Sequence, residues 1–468
     1  MQKFDLIVIG SGPAGEKAAV KAAYFGYKVA IIEKEELFGG AGTVTGTLPS
    51  KTLRETSLYF SNKLEKGLYG IDRTFSRQAS MKDFMYRKNL VKDSYSKEIF
   101  ENLSRHHVSI FYGVASFEDV HTIHVQGKDP ISLFGEYIII ATGSYPYHPE
   151  NIPFDNKRVH DSDTILQLTR HPSSLCIVGA GVIGCEYATI FATIGTHVYL
   201  INDKEKILSH LDEEISNTLV KEMQGSGVDI LFNTSIESIH VPSSDQTPIE
   251  VHLKNKKNLE VDMFLFAAGR SGNIKQLKLE QVGVKTGKRE LIIVDDQYRT
   301  NIPNIFAVGD VIGFPALAST SMEQGRIAVA HIFQTQDLEH LPSYFPYGIY
   351  TIPEVSTIGL TTKEAEEKKI PYATGKAYYA NMPRGKIMGA KTGMLKLLFH
   401  KDTLQILGVH IIGRIATEII HYGVILVEDK KTLHHVISQV FNCPTLHDLY
   451  KYAAYDGLIQ VTPRLKSK

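Results

Sequence analysis

Short, unbroken apolar runs that stop at glycine recur along this chain, and their order predicts its architecture. Leu6 to Ile9 is the first such run and reads as a strand buried on both faces. Gly10 to Gly15 then forms a turn, the Ala-rich stretch Glu16 to Phe25 a helix stopped by Gly26, and Lys28 to Ile32 a second strand ending at Glu33. This is a strand–helix–strand unit. The same order returns later, with a strand at Leu175 to Val178, the turn GAGVIG, a helix through Ile194 stopped by Gly195, and a strand at His197 to Ile201. The chain therefore carries an internal duplication.

Each copy has a later companion, an apolar strand ending in ATG (Ala141 to Gly143) for the first and in AAGR (Ala267 to Arg270) for the second. Small residues at such strand ends let backbone approach a flat ligand closely. Asn304 to Asp310 reads as a further strand ending on an acid. After about Phe345 the texture changes to strand-like spacing at Lys396 to Phe399 and Ile406 to Ile412, with helices at Ala416 to Glu428 and Thr432 to Gln439. That region reads as a separate α+β domain.

At 468 residues the chain has room for about three domains. Apolar residues make up 43% and charged residues 22%, which is ordinary for a globular protein. The formal charge is zero, which argues against nucleic acid as a partner. No apolar run is long enough to span a bilayer, so no membrane partner is expected. The first strand starts at Phe4 and leaves no room for a targeting segment, which makes the cytoplasm the expected location. Cys176, Cys185 and Cys443 have no metal or redox spacing and are expected to be small buried residues. The histidines show no metal-ligand pattern, so no metal is expected.

The turn Gly10-Ser11-Gly12-Pro13-Ala14-Gly15 is a G-x-G-x-x-G fingerprint between strand and helix, where a dinucleotide binds. Gly10 permits the tight turn, Gly12 lets backbone meet a pyrophosphate, and Gly15 lets helix pack on strand. The phosphates face free N–H groups at the helix N-terminus, and Glu33 is placed to accept bonds from ribose hydroxyls. Gly179, Gly181 and Gly184 repeat the logic, but Asn202 stands where Glu33 stood. A carboxylate there favours NAD and repels a 2′-phosphate, whereas a neutral amide accommodates either nucleotide. Lys204 and Lys206 could supply charge to that phosphate, against Asp203 between them.

With these motifs the chain resembles the flavoprotein pyridine nucleotide–disulfide oxidoreductases over its whole length. The resemblance rests on GSGPAG with Glu33, Gly39-Gly40, Pro49-Ser50-Lys51, ATG, GAGVIGCE (179–186), AAGR, VGD (308–310) and PEVSTIG (353–359). It implies an α/β fold of two Rossmann-like dinucleotide-binding domains plus a C-terminal α+β dimerisation domain. The FAD-binding domain would comprise 1–147 and 271–345, the NAD(P)-binding domain 148–270, and the domain forming the homodimer 346–468. FAD would sit on Gly10, Gly12, Pro13, Ala14, Gly15, Glu33, Lys34, Gly39, Gly40, Thr142, Gly143, Ser144 and Ala318, with Asp310 bonding the ribityl chain. NAD(H) or NADP(H) would meet Gly179, Gly181, Ile183, Gly184, Asn202, Lys204, Gly269 and Arg270. Lys51 would lie against the flavin, paired with Glu186, and these two are the expected catalytic residues.

The family's redox pair of cysteines, just before Pro-Ser-Lys, is missing: the positions hold Gly42 and Thr47. The family's acid–base histidine and its glutamate are likewise replaced, by Cys443 and Asp448, and His447 has the wrong offset to substitute. No disulfide should be reduced by the family's route. Within the family the chain looks most like the soluble, energy-independent pyridine nucleotide transhydrogenases, on GT-x-PSK, Ile201-Asn202, YPYHP (145–149), DSD (161–163) and FPYGIYTIPE (345–354). Those proteins generally keep the first cysteine, where this chain has Gly42. The expected reaction is ping-pong hydride exchange between NADPH and NAD⁺ through FAD. The alternatives are an NAD(P)H dehydrogenase passing electrons to a quinone or dye, and a nucleotide sensor with a structural flavin. Retention of Lys51 and Glu186 argues against the sensor.

Overall fold

Parallel pairing of the apolar runs builds both halves of the duplication. The computed structural model describes residues 1–70, 79–254, 257–335 and 340–461. Gln2–Ile9 pairs in parallel with Val29–Glu33 on one side and Ile131–Ile140 on the other, and Ile305–Ala307 adds alongside the latter. Among the described residues this sheet has seven strands, the others being Ser109–Tyr112, Val114–Phe117 and Thr122–Gln126. The second copy forms a five-stranded sheet in which Ser174–Val178 lies between His197–Ile201 and Met263–Phe266, with all pairings parallel. The central parallel strands, such as Val29–Glu33 and Met263–Phe266, are buried, which is why they lack polar alternation.

The fingerprint helices begin where the turn chemistry allows. Pro13–Tyr24 starts on a proline, whose missing N–H would have had no partner in the first turn. Val182–Thr193 starts directly after Gly181. The strand expected over Asn304 to Asp310 is shorter: Ile305–Ala307 is strand, Val308 is still extended, and Gly309–Ile312 turns into a 3₁₀ helix. Gly309 at φ +79° makes that bend and carries Asp310 sideways from the sheet end.

Tyr347–Ile349, Glu354–Gly359, Ile406–Gly413, Met394–His400 and Tyr372–Tyr378 form an antiparallel sheet in that order. Ala416–Glu428 and Asp448–Val461 pack on it, and Phe399, Tyr379 and Tyr450 are fully buried between. The expectation of three buried cysteines fails at one position. Cys176 and Cys185 are buried, and burial pushes both thiols up, but Cys443 is exposed on an irregular segment that no strand or helix covers.

A buried ion pair fastens the second nucleotide unit to this last sheet. Asp212 caps the helix Glu213–Gly225 and receives Lys396 Nζ at 2.8 and 3.0 Å from the strand Met394–His400. Thr362 Oγ1 adds a bond of 2.9 Å to the same carboxylate. Burial opposes ionisation of Asp212, but His410, Lys396 and Thr362 more than offset it, and the carboxyl titrates below its ordinary 3.8. Its stabilising contribution is therefore present above that ordinary value and lost as pH falls through the lower folded value. Lys396→Met strands the carboxylate in the interior and should reduce stability by about 3–5 kcal/mol, read as a lower denaturant midpoint at neutral pH. The deficit should shrink in acid, where Asp212 takes up a proton. An unchanged neutral midpoint would show that the pair does not hold the two units together.

Candidate active site and nucleotide crevices

A Cβ on Gly10, which has φ +102°, would lie 2.5 Å from Ala141 O, and one on Gly15 would lie 1.9 Å from Gly10 O. The turn is thus pressed against the neighbouring strand end and its own helix, and larger residues cannot enter it. Gly12 differs: nothing lies within 4 Å of its Cβ position. It opens on a cavity of about 1550 Å³, lined also by Pro13, Ala14, Glu33, Lys34, Gly40, Thr142, Gly143, Ser144, Asp310 and Ala318. Gly15 and Gly39 do not line it. Gly15 packs helix on turn, and Gly39 donates its N–H to Ser11 Oγ at 3.1 Å.

Glu33 is buried and already oriented. It accepts from Ser11 N at 2.9 Å, Ser11 Oγ at 2.6 Å and Glu35 N at 3.0 Å. Ser11, an unremarked spacer within the fingerprint, is therefore the residue that aims the acid, and its small polar side chain was the only sequence signal. Asp310 Oδ2 accepts from Ser144 Oγ at 3.0 Å. Arg270 does not reach outward: its guanidinium is taken up by Ser144 Oγ at 2.8 Å, Ser144 O at 2.8 Å, Ser162 Oγ at 3.1 Å and Asp163 Oδ1 at 3.2 Å. It acts as a tie at the cavity wall. Burial pushes the Asp163 carboxyl up, against the pull of Arg270.

The cavity fits the FAD that the sequence implies. The space in front of Gly12 is where a pyrophosphate would stand, and the helix behind it has no side-chain cap to compete for its N–H groups. Thr142 Oγ1 is buried without a hydrogen-bond partner in the cavity wall, a donor that a bound group would satisfy.

Where the cavity meets the second unit, Lys51 Nζ lies 2.7 and 2.9 Å from the two Glu186 oxygens. The side chains are 25% and 5% exposed, so the pair sits at the boundary between cavity and interior. Glu186 Oε1 also accepts the N–H of Tyr350 at 2.9 Å, and Lys51 Nζ stands 5.0 Å from the centre of the Tyr350 ring. Tyr347 and Tyr350 line the same wall, and burial pushes both phenols up. Neither tyrosine stands out in the sequence, although both lie in the stretch FPYGIYTIPE. No spacing rule marks a residue whose backbone N–H, rather than its side chain, positions another group.

The second fingerprint reproduces the first. Gly179 has φ +101°, a Cβ on Gly184 would lie 1.9 Å from Gly179 O, and Gly181 faces open space. Val182 and Ile183 line the large cavity, so the two crevices meet at the start of this helix. Asn202, at the end of the next strand, turns its amide nitrogen toward its own loop. It is buried, and its Nδ2 donates to Lys204 O at 2.9 Å and Lys206 O at 3.0 Å. Both amide hydrogens are thereby spent on holding the loop, a task no carboxylate can perform. Lys206 is paired with Glu213 at 2.7 Å, which leaves Lys204 exposed on the loop without that engagement.

Residues 4–325 match the family model described as pyridine nucleotide-disulphide oxidoreductase, and residues 345–454 match the dimerisation domain of the same family. The chain belongs to this family. A soluble pyridine nucleotide transhydrogenase of Chromohalobacter salexigens is 42% identical over 98% of this chain and 99% of that protein. One from Yersinia pestis is 41% identical over 97% and 98%. Among solved structures, the HOCl-induced flavoprotein disulfide reductase RclA from Escherichia coli, as a Cu(II) complex, is 26% identical with a TM-score of 0.87, covering 97% of this chain and 99% of that one.

Two positions on the cavity wall bear on the chemistry. Gly42 and Thr47 both line the cavity, and neither brings a thiol. A Cβ on Gly42 would lie 2.9 Å from Pro13 Cγ, so a side chain there would need the Pro13 ring to shift slightly. Cys185, although next to Glu186, is completely buried and does not line the cavity.

The Lys51–Glu186 geometry predicts a measurable loss. Glu186→Gln removes a charge-assisted bond of the kind that contributes about 1.5–3 kcal/mol, equivalent to about 10–100-fold in rate. Anaerobic stopped-flow mixing with NADH should show the flavin absorbance bleaching slower by that factor while FAD content is unchanged. Equal rates would remove the pair from the hydride step.

Proposed function

We propose that this chain is an FAD-dependent NAD(P)⁺ transhydrogenase that catalyses NADPH + NAD⁺ ⇌ NADP⁺ + NADH. The strongest support is the intact Lys51–Glu186–Tyr350 junction beside a cavity wall that has no thiol at Gly42 or Thr47. Bound FAD supplies the hydride acceptor and donor. The chain contributes orientation: the first fingerprint with Glu33 and Ser11 holds one dinucleotide, and the second with Ile183 brings a nicotinamide nucleotide to the same cavity. Without a disulfide to take the electrons onward, the oxidant must enter from outside, and the second crevice already accepts nicotinamide nucleotides. The names of the relatives from Chromohalobacter and Yersinia support the same reading.

In this reading residues 1–147 with 271–345 form the FAD unit, 148–270 the NAD(P) unit, and 346–468 the homodimer contact; 71–78, 255–256, 336–339 and 462–468 lie outside the described residues. The Asn202 side chain itself puts no carboxylate against a 2′-phosphate, and Lys204 supplies an attraction for it, against the neighbouring Asp203 and Glu205. No described helix is long and apolar enough to cross a membrane, and we assign the enzyme to the cytoplasm.

Rapid mixing tests the reading. NADPH should bleach the flavin without oxygen, and after removal of NADP⁺ the addition of NAD⁺ should restore the absorbance and produce NADH. Recovery with a quinone but not with NAD⁺ would make the protein an NAD(P)H dehydrogenase instead, and no bleaching at all would leave a nucleotide sensor. In the same apparatus Lys204→Glu should weaken NADPH roughly tenfold more than NADH, because it turns an attraction for the 2′-phosphate into a repulsion.

A further inference from the structure

The duplication makes Gly269 the counterpart of Gly143. Each follows a strand beside the first fingerprint glycine by the same count, and both have positive φ, +116° and +68°. A Cβ on Gly10 would meet Ala141 and Thr142, and one on Gly179 would meet Ala267 and Ala268 in the same way. Gly143 lines the large cavity. Gly269 therefore marks the corresponding place in the second crevice.

A guanidinium occupies that place. A Cβ on Gly269 would lie 1.8 Å from Arg289 Nη1, so Arg289 packs onto the bare Cα. Its Cζ stands 5.2 Å from the centre of the Tyr147 ring, and Tyr147 N donates to Gly269 O at 3.1 Å. A cation–π contact of this kind uses no hydrogen bond, so the N–H edges of the guanidinium stay available. Among the described residues no hydrogen bond or ion pair engages those edges. The backbone that delivers it is held in an unusual form, with Arg289 at φ +56° and Glu290 at φ +59°. Two successive non-glycine residues in the left-handed region persist only where surrounding structure enforces them, and such sites concentrate at ligand clamps. Here the brace is visible: Tyr145 donates its hydroxyl to Glu290, and Lys275 Nζ stands 4.9 Å from the Tyr145 ring. Lys275, Lys288 and Arg289 against Glu290 leave this rim positive.

We infer that Arg289 is a positioning residue for the nicotinamide nucleotide, binding the pyrophosphate that NAD(H) and NADP(H) share. This rests on the proposed function and deepens it, because it separates common anchoring, by Arg289, from discrimination at the 2′ end, by the Asn202 loop.

The test uses the FAD-loaded enzyme and equilibrium binding, so it does not depend on whether NAD⁺ accepts hydride. Dissociation constants for NADH and NADPH are measured for Arg289→Gln and Arg289→Lys, with reduced nicotinamide mononucleotide, which has no pyrophosphate, as the contrasting probe. Arg289→Gln should weaken both dinucleotides equally, by about tenfold or more, and the mononucleotide little. Arg289→Lys should fall between, since it keeps charge without the fork. Should Arg289→Gln fail to keep FAD, the lysine variant alone carries the same comparison. Unchanged affinity for both dinucleotides, a loss confined to NADPH, or an equal loss for the mononucleotide would each overturn the assignment.

Discussion

Lys51 and Glu186 stand 135 positions apart, one on the helix Thr47–Ser61 and the other on the second fingerprint helix, yet they share two bonds of 2.7 and 2.9 Å. A third part of the chain joins them through the Tyr350 N–H. This junction fixes how the first fingerprint unit, the second, and the C-terminal sheet face one another around a single cavity. An ion pair at such a boundary is weakly screened on its buried side and can hold a defined geometry. The buried Asp212–Lys396 pair adds a second fastening, between the nucleotide unit and the C-terminal sheet. The proposed hydride exchange needs two cofactor rings brought to one place, and these two contacts tie together the parts of the chain that would align them.

The two fingerprints share turn geometry but differ at the end of the next strand. In the first, a buried Glu33 is aimed by Ser11. In the second, the equivalent Asn202 is turned inward and spends its amide on two carbonyls of its own loop. The first arrangement suits a ligand that stays, because its acid is oriented in advance. The second has a neutral amide where the first has an acid, which in the proposed reaction suits a site visited by two nucleotides. The cavity wall carries no thiol at Gly42 or Thr47, and a Cβ on Gly42 would lie 2.9 Å from Pro13 Cγ.

Much of the fold was legible in sequence because its signals are local. Strand, glycine turn, helix and terminal acid succeed one another within about thirty residues, as a dinucleotide-binding unit requires. The helix Ala416–Glu428 and the strand His197–Ile201 coincide with their apolar patterns. Residue type alone does not show which neighbours the fold supplies to Asn202, Arg270 and Cys443. Asn202 and Arg270 are consumed by internal hydrogen bonds, and Cys443 lies on a segment that no element covers. Tyr350 and Arg289 act through a backbone N–H and a left-handed backbone, neither of which leaves a pattern in the sequence.

A single nicotinamide crevice that serves donor and acceptor in turn has a distinct kinetic signature. Initial rates measured over a grid of NADPH and NAD⁺ concentrations reveal it. Parallel lines in double-reciprocal plots are predicted, because the first product must leave before the second nucleotide enters. Intersecting lines would mean that both nucleotides are bound together, and would contradict a single shared crevice.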